Sequence, residues 1–143
     1  MEGEMKRELP ADLRARMEEM KAAPFALRLG IETVSVGENE AVVRMPVSGL
    51  TNALGMAHGG AIFSLADQAF ALAANSRGEP QVAISASITY LRPGRGDLVA
   101  RARKVEENRT TSVYEVQVLQ GDAVVAIFQG IGYKLRRSEK KVD

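Results

Sequence analysis

The sequence predicts an α+β protein in which an antiparallel sheet of about six strands curves around one long apolar helix. Residues 58–75 are rich in Ala and Leu and almost free of β-branched side chains, so their helix propensity is high. A helix that is apolar almost all round must be buried. Residues 82–135 read as four strands in a meander, and the short turns between the last strands require antiparallel pairing.

Shorter patterns predict the remaining elements. Residues 10–20 carry apolar side chains at i, i+4 and i+7, which predicts a short N-terminal amphipathic helix that Pro24 ends. Residues 25–30 are predicted to form an apolar hinge, and residues 31–36 and 41–46 a β-hairpin. We therefore divide the chain into an N-terminal helical extension (1–24), one folded domain (25–135) and a charged tail (136–143).

Composition excludes several classes of protein. The 143 residues include no cysteine and a single histidine, His58, which excludes disulfides and thiol nucleophiles and argues against a metal centre. The net charge is +1, no apolar run approaches the length of a membrane span, and the N-terminus does not resemble a signal peptide. We therefore expect a cytoplasmic protein that needs no cofactor and binds neither nucleic acid nor membrane.

One charged residue interrupts the predicted apolar helix. Asp67 is the only charge between residues 61 and 74, and apolar residues dominate its surroundings. A carboxylate in such a setting is costly unless it is paired or solvated, and burial would raise its pKa. Carboxylates placed in this way act as general bases or nucleophiles in enzymes. Alternatively, Asp67 lies on a solvated edge of the helix or forms a hydrogen bond to a neighbouring backbone group.

The start of this helix is the second candidate feature. Gly59 and Gly60 leave backbone N–H groups open to a ligand at the positive end of the helix dipole, where a developing oxyanion is stabilised. By residue type alone, His58 is a hydrogen-bonding residue at the helix entry more often than a catalyst, and Asn52 is a turn residue. Gly59 and Asp67 are roughly 12 Å apart along the axis, so one helix cannot present both to the same carbonyl group. A site that uses both requires two chains.

Two motifs carry a resemblance to a known family. They are N-x5-HGG-x2-FSLAD-x2-FA, from Asn52 to Ala71, and ITYLRPG at residues 88–94. In this order and spacing they resemble the PaaI-like (phenylacetate-degradation type) branch of the hotdog-fold acyl-CoA thioesterases, over residues 25–135. The resemblance implies a six-stranded antiparallel sheet wrapped around the long helix, and a homodimer that usually pairs again into a tetramer.

The resemblance also implies roles for individual residues. Asp67 corresponds to the general base or nucleophile that acts on the thioester, and the Gly59 backbone N–H to the group that polarises the thioester carbonyl. Asn52 corresponds to a residue that helps to hold the water or the carbonyl. In the family the asparagine and glycine come from one subunit and the aspartate from the other, in agreement with the spacing argument. His58 is counted with these catalytic residues, and Gly60 with the substrate-binding ones.

Further substrate-binding residues are expected from the family pattern. A serine or threonine often stands in the strand after the helix, where the alignment places Ala83. Ser85 lies two residues further, on the same predicted strand face, and is the candidate substitute. Family members usually meet the phosphates of coenzyme A with basic residues, although exposed arginines also cover strand edges routinely. The candidates here are Arg92, Arg95 and Arg109.

The expected function is therefore hydrolysis of an aryl- or medium-chain acyl-CoA thioester. The alternative is a non-catalytic module that binds or senses acyl-CoA. A hotdog hydratase is less consistent with the sequence, since that chemistry normally pairs a histidine with an acid and only His58 is available. The sequence leaves open which acyl group is bound and whether Asp67 acts as nucleophile or general base.

Overall fold

The computed structural model describes residues 9–135, which form three helices and one six-stranded antiparallel sheet. The helices are α1 (Ala11–Lys21), α2 (Pro24–Arg28) and α3 (Gly59–Ala74), and the strands are β1 (Glu32–Gly37), β2 (Glu40–Met45), β3 (Gln81–Tyr90), β4 (Leu98–Glu107), β5 (Thr111–Gln120) and β6 (Ala123–Lys134). The strand order is β1-β2-β4-β5-β6-β3. The predicted meander is therefore correct for β4, β5 and β6 but wrong for β3, which pairs with β6 and not with the next strand in sequence. The predicted fold class is confirmed. Within the described range no helix is long and apolar enough to cross a membrane.

Helix α3 forms the centre of the core, as its composition predicts. Its buried face packs against the sheet through aromatic contacts, with Phe63 5.3 Å from Phe128 and Phe70 5.8 Å from Tyr114 between ring centroids. Gly130 of β6 lies under these rings, and a Cβ there would come within 3.0 Å of the Phe70 ring. A side chain at this position would have to displace the packed rings by a few tenths of an ångström, so the glycine allows α3 to approach the sheet closely.

Helix α1 packs over α3 and forms hydrogen bonds with the residues that follow the C-terminal end of α3. Met17 is almost fully buried in the common core. The Arg16 guanidinium donates hydrogen bonds to the backbone oxygens of Asn75 and Gly78, each at 3.1 Å. The Gln68 side chain donates to a backbone oxygen in the last turn of α1. These contacts explain why the extension is helical, since its apolar stripe has a surface to cover.

The segment between α1 and β1 differs from the prediction. Residues 25–30 were expected to form a hinge, but residues 24–28 form the short helix α2 with Pro24 at its first position. A proline fits there because the first turn of a helix leaves its N–H groups unpaired. The predicted end of the first helix before Pro24 is confirmed. The predicted charged tail, 136–143, lies outside the described residues, as do residues 1–8.

Strand β3 is an edge strand, and in the single chain most of it is open to solvent. Among residues 9–135 it pairs with β6 alone, so the backbone groups along its other edge have no partner strand in that part of the chain. Val82 and Ile84 on this strand are 48% and 57% exposed. A ten-residue edge strand with exposed apolar side chains is a surface on which another strand can pair.

Candidate active site

The N-terminus of α3 opens into a cleft of about 390 Å³ between two loops. One loop leads into α3 and the other follows β3, and the Ala57 N–H joins them by donating to the Gly94 oxygen at 2.8 Å. A mainly apolar cleft with a few polar groups is typical of small-molecule sites. Its lining residues are Asn52, Met56, Ala57, Gly59, Ile62, Tyr90, Leu91, Arg92 and Pro93.

The hydrogen bonds at the start of α3 leave one N–H available in this cleft. His58 caps the helix, with its Nδ1 atom accepting from the Gly60 N–H at 2.9 Å. The backbone oxygen of His58 accepts from Ala61 and Ile62. None of the hydrogen bonds among the described residues uses the Gly59 N–H. This donor therefore has no hydrogen-bond partner within residues 9–135, and it lies at the positive end of the α3 dipole.

The backbone around Gly59 does not itself demand a glycine. Gly59 is not among the residues with positive φ. A Cβ built on it would lie 3.4 Å from the Tyr90 ring, which is an ordinary van der Waals distance. The fold of one chain would therefore accept an alanine there. What the missing side chain provides is open access to the N–H from the cleft.

The Asn52 side chain stabilises the local turn with its oxygen atom, and its amide nitrogen makes no hydrogen bond to the described residues. Its Oδ1 atom accepts from the backbone N–H groups of Leu54 and Met56, at 2.8 and 3.1 Å. The turn interpretation is therefore confirmed. The amide nitrogen uses neither of these bonds, so Asn52 can present an N–H donor to the cleft that it lines.

Asp67 lies about two helical turns from Gly59 and does not line the cleft. It sits on the least buried face of α3, near Ser64, Gln68 and Ala71, and is half-buried. Its carboxylate makes no hydrogen bond or ion pair with the rest of residues 9–135. Burial without a partner raises the pKa of Asp67 above its ordinary value of 3.8. The chain thus holds an unpaired, partly desolvated carboxylate on an open face.

A β-bulge at Ile84 changes the predicted placement of Ser85. Ala83 pairs with Gly132, and Ser85 pairs with Ile131, the adjacent residue of β6. Adjacent residues of a strand face opposite sides of the sheet, so Ala83 and Ser85 also lie on opposite faces. The prediction that these two positions share a face is wrong, because Ile84 adds one residue to the strand.

The three candidate arginines do not gather at one place in a single chain. Arg92 lines the cleft, and its guanidinium donates to the Val124 oxygen at 2.9 Å. Arg95 is exposed on the same loop, and its backbone N–H donates to the side chain of Gln120. Arg109 lies in the turn before β5, at the other end of the sheet from Arg92 and Arg95. The ten-residue strand β4 between the two ends spans roughly 30 Å.

Sequence reasoning assigned no role to Tyr90, which contacts the helix start directly. Its hydroxyl donates to the Gly59 oxygen at 3.0 Å, and its ring forms part of the cleft wall. The residue was visible as part of the ITYLRPG motif, at the end of a predicted strand. Its partner lies 31 positions earlier, and no local pattern indicates such a contact.

Comparisons with known proteins agree with this geometry. Residues 54–127 match the family model described as the thioesterase superfamily. Acyl-coenzyme A thioesterase PaaI of Escherichia coli K12 is 41% identical over 114 residues, which are 77% of this chain and 81% of that protein. Human acyl-coenzyme A thioesterase 13 is 32% identical over 116 residues, which are 77% of this chain and 83% of that protein.

A solved structure extends the comparison to the fold. The E. coli PaaI protein from the phenylacetic acid degradation operon matches with a TM-score of 0.83 and 35% identity, over 90% of this chain and 97% of that one. A six-stranded antiparallel sheet wrapped around a helix defines the hotdog fold, which this chain therefore has. Its relatives place the protein in the class of thioester hydrolases. The chain belongs to the thioesterase superfamily, and its resemblance to the PaaI-like branch is confirmed.

Proposed function

We propose that this protein hydrolyses acyl-CoA thioesters, with an aryl- or medium-chain acyl group as the preferred substrate. The observation that carries the proposal is the unused Gly59 N–H, which lies at the positive end of α3 in an apolar cleft beside the Asn52 amide. Two relatives named as acyl-coenzyme A thioesterases support the choice of substrate class.

The proposed chemistry uses these donors to stabilise negative charge. The thioester oxygen accepts hydrogen bonds from the Gly59 N–H and the Asn52 amide nitrogen, and it becomes an oxyanion when the carbonyl carbon is attacked. One donor of this kind lowers the barrier by about 2.7–4 kcal/mol. The carbon–sulfur bond then breaks, and the CoA thiolate leaves and takes up a proton.

Asp67 is the proposed source of the attack, in one of two ways. As a general base it takes a proton from water, and the resulting hydroxide attacks the carbonyl carbon. As a nucleophile it forms a mixed anhydride with the acyl group, which water then hydrolyses. Both routes need the ionised carboxylate, and both release a carboxylic acid and the free thiol of coenzyme A.

The proposed site lies between two chains. Gly59 and Asp67 are roughly 12 Å apart along α3, so Asp67 of one chain would act on a thioester held at Gly59 of another. The open edge of β3 supports a dimer, because two such edges paired about a two-fold axis would form one continuous sheet. We propose a dimer as the smallest active unit, and a pair of dimers as the complete assembly.

The remaining site residues receive supporting roles in this proposal. His58 fixes the start of α3 through its bond to the Gly60 N–H, and Gly60 keeps the approach to the helix open. Arg92 and Arg95 stand nearest to the cleft for contact with the phosphates of coenzyme A, while Arg109 would have to come from another subunit. Ser85 stays a candidate for holding the attacking water.

Release of free thiol across a panel of aryl-, short-, medium- and long-chain acyl-CoA esters tests the proposal. The chain has no cysteine, so a thiol reagent meets no background from the protein. We expect release with an aryl- or medium-chain preference, and loss of release in Asp67→Ala. Tight acyl-CoA binding without release would instead favour the binding module. Hydration of an enoyl-CoA with the thioester intact would favour a hydratase.

A further inference from the structure

We infer that Tyr90 is a positioning residue that fixes the orientation of Gly59, and through it the N–H that polarises the thioester. The Tyr90 hydroxyl donates to the Gly59 oxygen at 3.0 Å. The Tyr90 ring occupies the space beside the Gly59 Cα, where an added Cβ would touch it at 3.4 Å. The inference rests on the proposed function, since it assigns Tyr90 a task within the same site.

Gly59 needs such a support because of where it stands in the chain. It is the first residue of α3, and a glycine at a helix end has no side chain to limit its backbone. The Gly59 oxygen and the Gly60 N–H belong to one planar peptide group, so Tyr90 and the His58 cap hold that group from its two ends. Among the described residues, Tyr90 supplies the only side-chain hydrogen bond to Gly59 itself.

Tyr90 can provide this support because its own backbone is anchored in the sheet. It is the last residue of β3 and pairs with Ala126 of β6. The next two backbone N–H groups, those of Leu91 and Arg92, both donate to the Val125 oxygen. The phenol therefore connects the rigid sheet to the start of α3. A donor held in place before the substrate arrives stabilises an oxyanion without further reorganisation.

Tyr90→Phe tests this inference, with Tyr114→Phe as the matched control. The first variant loses the bond to Gly59 and keeps the ring, and the second loses a bond from Tyr114 to Asn39 in the core. We expect Tyr90→Phe to lower kcat about three- to tenfold, the range that one neutral hydrogen bond spans. KM should stay within about twofold, because a donor misplaced in the transition state affects kcat first. Tyr114→Phe should keep kcat and lower the melting temperature.

The amide resonance of Gly59 gives a readout that a general loss of stability would not reproduce. In ¹H–¹⁵N spectra it should move in Tyr90→Phe and stay in place in Tyr114→Phe. An unchanged kcat in Tyr90→Phe, while Asp67→Ala is inactive, would overturn the inference and leave the hydrolase intact. A raised KM at constant kcat would overturn it too. If the wild type releases no thiol, the proposed function fails. The Gly59 amide resonance then tests by itself whether Tyr90 fixes the orientation of Gly59, and an unchanged resonance in Tyr90→Phe would overturn that contact.

Discussion

Gly59 is a glycine that the backbone of one chain does not require. Its φ is not positive, and an added Cβ would meet Tyr90 at an ordinary contact distance. In the proposed mechanism the glycine leaves the N–H accessible to the thioester oxygen, and this proposed role leads to a direct test.

Gly59→Ala should fold normally and lose activity. Alanine is the better helix former by up to about 1 kcal/mol, so the free energy of unfolding should stay constant or rise slightly. The added methyl group narrows the approach to the N–H, and kcat/KM should fall by about tenfold or more. Thermal unfolding and thiol release measure the two effects. A variant with wild-type kcat/KM would remove Gly59 from the mechanism.

Asp67 should lower the free energy of unfolding at neutral pH. Its pKa in the folded chain lies above 3.8, so the folded state holds a proton that the unfolded state has already released. Stability therefore falls as the pH rises from 3.8 through the raised pKa. The proposed activity should follow the opposite course, since both proposed routes need the ionised carboxylate. The acid limb of kcat/KM should lie above pH 3.8.

Asp67→Asn separates these two effects. The variant should melt at a higher temperature than the wild type at pH 7, with a difference that shrinks as the pH approaches 3.8, and it should be inactive. Melting curves recorded against pH give the comparison, with the exposed Asp122→Asn as a control that should not change the profile. A lower melting temperature of Asp67→Asn at pH 7 would contradict this prediction, because it would mean that the folded protein stabilises the ionised carboxylate.

Asn52 and His58 show what residue-level reading of a sequence can and cannot decide. Each was open to a structural and a functional interpretation. Asn52 uses its oxygen for the turn and keeps its amide nitrogen free, and His58 uses Nδ1 as a helix cap. The structural roles are confirmed and are compatible with the functional ones. Residue type and spacing cannot show that both roles are compatible, because different atoms of the same side chain perform them.

At the scale of elements, the sequence predicted most boundaries to within a few residues, and the exceptions have physical reasons. Alternating and helical periodicities extend over ten or more residues in β4, β5 and α3, so their signals are strong. Helix α2 has five residues, too few for a period. The sequence does not predict the bulge at Ile84. Small side chains stand on both faces of β3, so an inserted residue does not change the pattern of apolar and polar positions.

The edge of β3 carries a prediction about assembly. Ile84→Lys places a charge on the proposed interface and should shift the protein from dimer or tetramer toward monomer, with loss of thiol release. Val105→Lys is the matched control, since Val105 is also a β-branched bulge residue, on β4, with 53% exposure against 57% for Ile84. It should remain at least a dimer. Sedimentation velocity gives the masses, and an unchanged assembly in Ile84→Lys would place the interface elsewhere.

At the scale of the whole molecule, the fold follows from two properties of the sequence. An apolar helix that must be buried and a run of strands with short turns together define a sheet around a helix. The candidate site follows less completely. Gly59, Asn52 and Arg92 meet in one cleft, whereas Asp67 and Arg109 lie away from it. The cleft of one chain holds only part of the proposed machinery, and the proposal takes the rest from a second chain.

Mixed dimers test this central claim most directly. Asp67→Ala and Gly59→Ala chains, co-expressed with different tags and purified through both, give dimers in which each chain carries one defect. If each site takes Gly59 from one chain and Asp67 from the other, one of the two sites is intact, and thiol release should recover to about half of the wild-type rate. If each site lies within a single chain, both sites are defective. The mixed dimer would then be no more active than the better of its two parents, and the account of a shared site would be contradicted.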